Sequence, residues 1–144
     1  MVNPDGVVLG NYRKNLQGKD MNRHFFADEK DNENNELCTE VELIKAYMKE
    51  NLAEKKRLKL FLDIHAHSRK RSVFVYAPKP PDVQSITRIQ HFSQLLEQNS
   101  PIFSQENCSY NNDQRKANCA RLGIFNNYGL VDSYTVEASC WGFD

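Results

Sequence analysis

No C-x-x-C pair, no long apolar run and no excess of either sign of charge occurs in these 144 residues, and each absence excludes something. Cys38, Cys108, Cys119 and Cys140 stand far apart, which argues against a zinc knuckle and against a dense disulfide framework, so reduced thiols are expected. With 19 basic and 19 acidic residues, the basic footprint of a nucleic-acid binder is missing. Neither end shows a membrane-length apolar segment or the basic-then-apolar pattern of a signal peptide. No nucleic-acid or membrane partner is therefore expected, and the default compartment is cytoplasmic. There is no internal repeat. The length suits a single domain with a real core, yet a doubly covered sheet of the kind inferred below is normally larger.

What is present centres on Leu58-Lys59-Leu60-Phe61-Leu62-Asp63-Ile64-His65-Ala66-His67-Ser68, an apolar strand running into polar side chains. Successive side chains of a strand point to opposite faces, so Asp63, His65 and His67 share one face and Leu62, Ile64 and Ala66 the other. Two imidazoles and a carboxylate on one face suit a metal ligand oriented by a neighbouring acid. The same spacing also suits a hydrogen-bonded histidine pair at a strand end.

Along the chain, Asn3-Pro4-Asp5-Gly6 reads as a turn and Val7-Val8-Leu9 as a short strand-like stretch. The polar segment from Gly10 to Phe26 reads as a loop, and the charged segment from Ala27 to Glu36 as a solvated excursion. Thr39-Glu40-Val41-Glu42 looks like a capping box before a helix carrying Val41, Ile44, Tyr47, Met48 and Leu52. Glu54-Lys55-Lys56-Arg57 reads as a solvated turn, and Ser72 to Ala77 as a second strand stopped by Pro78-Lys79-Pro80-Pro81. Ile86, Ile89, Phe92, Leu95 and Leu96 mark a second amphipathic helix. Leu122-Gly123-Ile124-Phe125 gives a weak strand signal, and Leu130 to Ser139 a strong one that delivers Glu137 toward its carboxyl end. Alternating helices and apolar strands predict an α/β sandwich: a mixed, mostly parallel sheet flanked by helices. In such sheets sites lie beyond the carboxyl ends of strands, which brings His65 and Glu137 to one crevice.

Together, Asn3-Pro4-Asp5-Gly6, Asn11-Tyr12-Arg13, Gly18-Lys19-Asp20-Met21-Asn22-Arg23, Asp63-Ile64-His65-Ala66-His67-Ser68-Arg69-Lys70 and Ser133-Tyr134-Thr135-Val136-Glu137-Ala138 resemble, in order, the signatures of the zinc carboxypeptidases. The likeness is greatest to their cytosolic carboxypeptidase branch, several members of which trim glutamates from tubulin tails and other acidic C termini. It implies that His65 is a zinc ligand, Glu137 the general base and Arg13 the stabiliser of the tetrahedral oxyanion. It makes Asn22 and Arg23 the grip on the substrate's terminal carboxylate, and Arg121 a basic residue lining the pocket for the last side chain. Peptide or protein C-terminal tails, tubulin among them, are the implied partners.

The sequence departs from that pattern in three respects. Ala117-Asn118-Cys119-Ala120 replaces a more glycine-rich run, and Asn126-Asn127 stands where Trp-Arg or Arg-Glu is commoner. The H-x-x-E motif that supplies the other two zinc ligands in these enzymes is absent. The resemblance therefore implies a partial catalytic domain over 1–144, incomplete at both ends and inactive by itself. The alternative is a noncatalytic module that binds acidic peptides without metal.

Overall fold

Four strands, β1 (Phe61–His67), β2 (Val73–Ala77), β3 (Ser109–Tyr110) and β4 (Ser133–Ser139), form one sheet in the order β1-β4-β2-β3. β1 runs parallel to β4 and β2 parallel to β3, while β2 and β4 are antiparallel. The sheet is thus mixed and mostly parallel, as the sequence predicts. The computed structural model describes residues 2–26, 38–54 and 58–143. The expected solvated excursion over 27–36 and the charged turn at 55–57 lie outside the described residues.

The helices are α1 (Pro4–Val8), α2 (Thr39–Met48), α3 (Val83–Asn99) and α4 (Ala120–Tyr128), with a one-turn 3-10 segment at Met21–Arg23. They cover the two faces of the sheet unequally. On one face, Ile89, Phe92 and Leu96 of α3 pack on Val75, Ala77, Tyr134 and Val136. The ion pair of Arg88 with Asp132 ties the same helix to the approach to β4. On the other face, Val41 and Met48 of α2 and Ala120 and Ile124 of α4 pack with Phe25 and Phe61. α3 reaches β2 and β4 but leaves β1 bare. Ile64 is consequently 74% exposed and Leu62 42%, and the apolar face of the strand meets solvent while its polar face is half-buried. β1 is also an edge strand, and burying either side chain would be worth about 1.5–3 kcal/mol.

Three local readings are corrected. Asn3-Pro4-Asp5-Gly6 and the following valines form the single turn α1, because the Asn3 side chain accepts from the Gly6 N–H and Pro4 occupies a first-turn position where its missing N–H costs nothing. The capping box at Thr39 does not form: Cys38 is the N-cap, without a side-chain bond, and Thr39 already belongs to the helix. Leu122 to Phe125 is helical, inside α4, which Gly129 ends in the left-handed conformation at φ 65°.

α4 approaches the Met21–Arg23 turn so closely that a side chain at Gly123 has no room. A Cβ there would stand 2.6 Å from Phe25 Cβ and 3.0 Å from the Phe25 carbonyl. That backbone cannot yield easily, since the Phe25 N–H donates to Asn118 O at 3.1 Å and Phe25 O accepts from Asn127 Nδ2 at 3.0 Å. Gly123→Ala is therefore expected to destabilise the chain by about 1–3 kcal/mol through overpacking. A lower midpoint in thermal or urea unfolding checks this, and an unchanged midpoint would show that the contact relaxes freely.

Candidate active site

The parallel register of β1 and β4 pairs His65 directly with Glu137 and Asp63 with Thr135. Direct cross-strand partners project from the same face, so the imidazole and the carboxylate are neighbours by strand geometry alone. This is the face under α2 and α4. Phe74 and Tyr76 of β2, register partners of Glu137 and Thr135, extend it. His67 packs edge-on to Phe74, ring centroids 5.1 Å apart, and brings Nδ1 to 3.6 Å from Glu137 Oε2.

His65 is held closely. Its Nε2 lies 2.8 Å from Asp63 Oδ2, and the same oxygen accepts from Asn22 Nδ2 at 2.9 Å. A carboxylate oxygen that close favours an N–H on Nε2, which in the neutral ring leaves the lone pair on Nδ1. The hydrogen bond to Asp63 raises the imidazole pKa, and burial works against it. This is the carboxylate–imidazole arrangement that orients a metal-binding histidine.

A groove of about 520 Å³ runs along β1, lined among others by Arg13, Asp20, Asn22, Asp63 and His65. Arg13 Nε pairs with Asp20 Oδ2 at 3.1 Å. Arg121 lies over the sheet with its guanidinium carbon 5.7 Å from the centre of the Tyr76 ring and Nη1 donating to Thr135 Oγ1 at 3.5 Å. It is 3% exposed, and its Nε has no hydrogen-bond partner among the described residues. Desolvation pushes its pKa down, yet a guanidinium remains charged. Lys116 Nζ stands 5.1 Å from the centre of the same ring.

His65, Glu137, Asn22 and Arg13 are thus gathered about β1, and Arg121 is added from α4. Arg23 stands apart: it is exposed and donates to the carbonyl of Asn22 at 2.7 Å. Sequence reasoning missed Asp20 and Tyr76. Asp20 joins two loop residues, and its only sequence mark was an aspartate two positions before Asn22, the spacing of a side-chain turn. Tyr76 was findable from the period of two it shares with Phe74.

Among the described residues no group of three or more His, Cys, Asp or Glu side chains converges to hold a metal ion. His65 offers one well-oriented nitrogen, whereas zinc in a hydrolytic site takes three protein ligands. The described residues therefore do not by themselves fit a zinc ion.

The fold matches the crystal structure of a metallo-carboxypeptidase from Burkholderia cenocepacia with a TM-score of 0.74 at 26% identity, covering 96% of this chain and 34% of that one. The architecture is that of a metallocarboxypeptidase. Among curated proteins, the chain is 32% identical over 143 residues to cytosolic carboxypeptidase 2 of Mus musculus, covering 99% of this chain and 16% of the relative. It is 34% identical over 149 residues to cytosolic carboxypeptidase 3 of the same species, at 99% and 14%, and 32% identical over 158 residues to cytosolic carboxypeptidase 1 of Homo sapiens, at 100% and 12%. The chain is thus similar over nearly its whole length to the cytosolic carboxypeptidases, and spans less than a fifth of the length of these relatives. No protein-family model matches it. No described helix is long and apolar enough to cross a membrane.

Proposed function

We propose that this chain is part of the catalytic domain of a cytosolic metallocarboxypeptidase that hydrolyses the last peptide bond of acidic protein tails, tubulin-like tails included. The observation that carries the reading is the β1–β4 register, which makes His65 and Glu137 neighbours on one sheet face. Glu137 takes a proton from the attacking water and returns it to the leaving amine, a role for a carboxylate within reach of the scissile bond. Arg13 sits at the groove as the fixed cation for the oxyanion, the kind of donor whose loss costs about 3 kcal/mol. Arg23, with Asn22, receives the terminal carboxylate, which a planar guanidinium can bind through two parallel N–H groups. Arg121 faces the side chain of the last residue and favours glutamate. His65 is one ligand of the family's zinc, whose other ligands lie outside the described residues.

A second reading is a noncatalytic module that binds acidic peptides. It is favoured by the lack of a three-donor group among the described residues. Producing the chain together with any residues encoded ahead of Met1, and measuring bound zinc and release of C-terminal glutamate, separates the two. Zinc-dependent release supports the peptidase. Zinc-free binding of acidic peptides without release supports the module, and neither result overturns both.

A further inference from the structure

We propose that Asn22 and Asp63 form a positioning clamp that fixes His65 as its Nε2–H tautomer and fastens the start of α4, with Arg121, to the same point of β1. The inference deepens the site described above, and its importance for catalysis rests on the peptidase reading.

Asp63 Oδ2 accepts from two donors at once, His65 Nε2 at 2.8 Å and Asn22 Nδ2 at 2.9 Å. The two nitrogens themselves approach to 2.9 Å, so Asn22 and Asp63 both crowd Nε2, and the carboxylate oxygen, which only accepts, decides where the proton of the neutral ring sits. On its other side the Asn22 amide accepts the Ala120 N–H through Oδ1 at 2.6 Å. The amide has only one workable orientation. Rotated by 180°, its oxygen would face the Asp63 carboxylate and its NH₂ would face the Ala120 N–H, both repulsive. The backbone of Asn22 is fixed as well, because its N–H donates to Asp20 Oδ1 at 3.0 Å while Asp20 Oδ2 pairs with Arg13.

One side chain thus joins three elements: the Met21–Arg23 turn, β1 and the first turn of α4. Ala120 immediately precedes Arg121, so the bond that orients the imidazole also fixes the place from which the guanidinium projects. A substrate carboxylate reaching for Asn22 must compete with Asp63 for the same amide hydrogens. Arg23 carries no such commitment in the site, and it can meet the substrate without loosening the imidazole.

The test reads the tautomer of His65 by ¹⁵N NMR of the imidazole at alkaline pH, where the ring is neutral. The unaltered chain is expected to show the Nε2–H form, and Asp63→Asn alone should keep it, since the amide oxygen can still accept. Asp63→Leu removes the accepting oxygen and leaves the Asn22 amide N–H, 2.9 Å away, as the group facing Nε2, which should drive the ring to the Nδ1–H form. A ring that stays Nε2–H in a folded Asp63→Leu variant overturns the clamp. If that variant does not fold, Asn22→Ala serves instead. It should keep the Nε2–H form, since Asp63 remains in place, and speed hydrogen exchange at the Ala120 amide by roughly threefold to tenfold, the loss of one hydrogen bond, while the amides of Val75 and Tyr134 stay protected. Unchanged Ala120 exchange in Asn22→Ala overturns it equally. Failure of zinc-dependent peptide release would remove the peptidase reading without altering any of these spectra.

Discussion

Replacing Glu137 by glutamine is expected to reduce C-terminal hydrolysis by about 10²–10⁴-fold. The substitution keeps shape and volume but removes the one carboxylate that β4 aligns with His65. The carboxylate is largely enclosed: its side chain is 13% exposed, with His67 at 3.6 Å and the Phe74 ring in the next strand register. Bulk water therefore has little access to substitute for it. Substrate is gripped elsewhere, at Asn22, Arg23 and Arg121, so the loss should fall on kcat with KM nearly unchanged, the pattern of an interaction made only in the transition state. Steady-state kinetics on the longer form used to test zinc-dependent release, with circular dichroism as a control for folding, measure this. Release of glutamate at an undiminished rate by Glu137→Gln would remove the carboxylate from the mechanism.

Arg121→Met should lower activity and raise stability together. A buried guanidinium with an unpartnered Nε carries a desolvation cost of about 1–3 kcal/mol, and the hydrogen bond at 3.5 Å to Thr135 together with the Tyr76 ring offsets only part of it. Methionine fills a similar volume and needs no partner. The thermal midpoint is expected to rise, whereas a residue kept solely for packing or for an ion pair would lower it on replacement. In exchange, the pocket loses the cation that an acidic last residue would pair with. A site built to bind a polar group discriminates far more sharply than an apolar one, so kcat/KM for C-terminal glutamate should fall by about 10²-fold or more, and that for an apolar last residue should change little. Equal losses on both substrates would show that Arg121 does not read the side chain. The opposed signs of the two effects mark a group retained for function at the expense of stability.

Much of this was legible in the sequence, for reasons that differ by element. β1 alternates apolar and polar residues from Leu62 to His67, and β4 carries one acid after a mainly apolar stretch, so both strands and the two side chains they deliver could be read before the fold. α4 could not be read in the same way. Ala120 to Ile124 are all buried, and a helix covered on every side shows no period of 3.6, so its short apolar core imitates a strand. β3 has two residues and no pattern to detect. At the site, His65 and Glu137 follow from strand alternation, whereas the Arg13–Asp20 pair depends on how a polar loop folds back on itself. The burial of Arg121 likewise depends on α4 being a helix, which local sequence misstates. The solvent-facing stripe of Leu62 and Ile64 reverses the usual expectation for a strand and could be seen only once α3 was known to stop short of β1.

That bare border has a consequence for how the site is completed. A polypeptide laid along the unoccupied side of β1 would bring its own backbone within hydrogen-bonding distance of the strand that carries His65, and its side chains would arrive beside Asp63 and the lone pair on Nδ1. Closing the hydrophobic seam and shielding the imidazole from water would then be a single event.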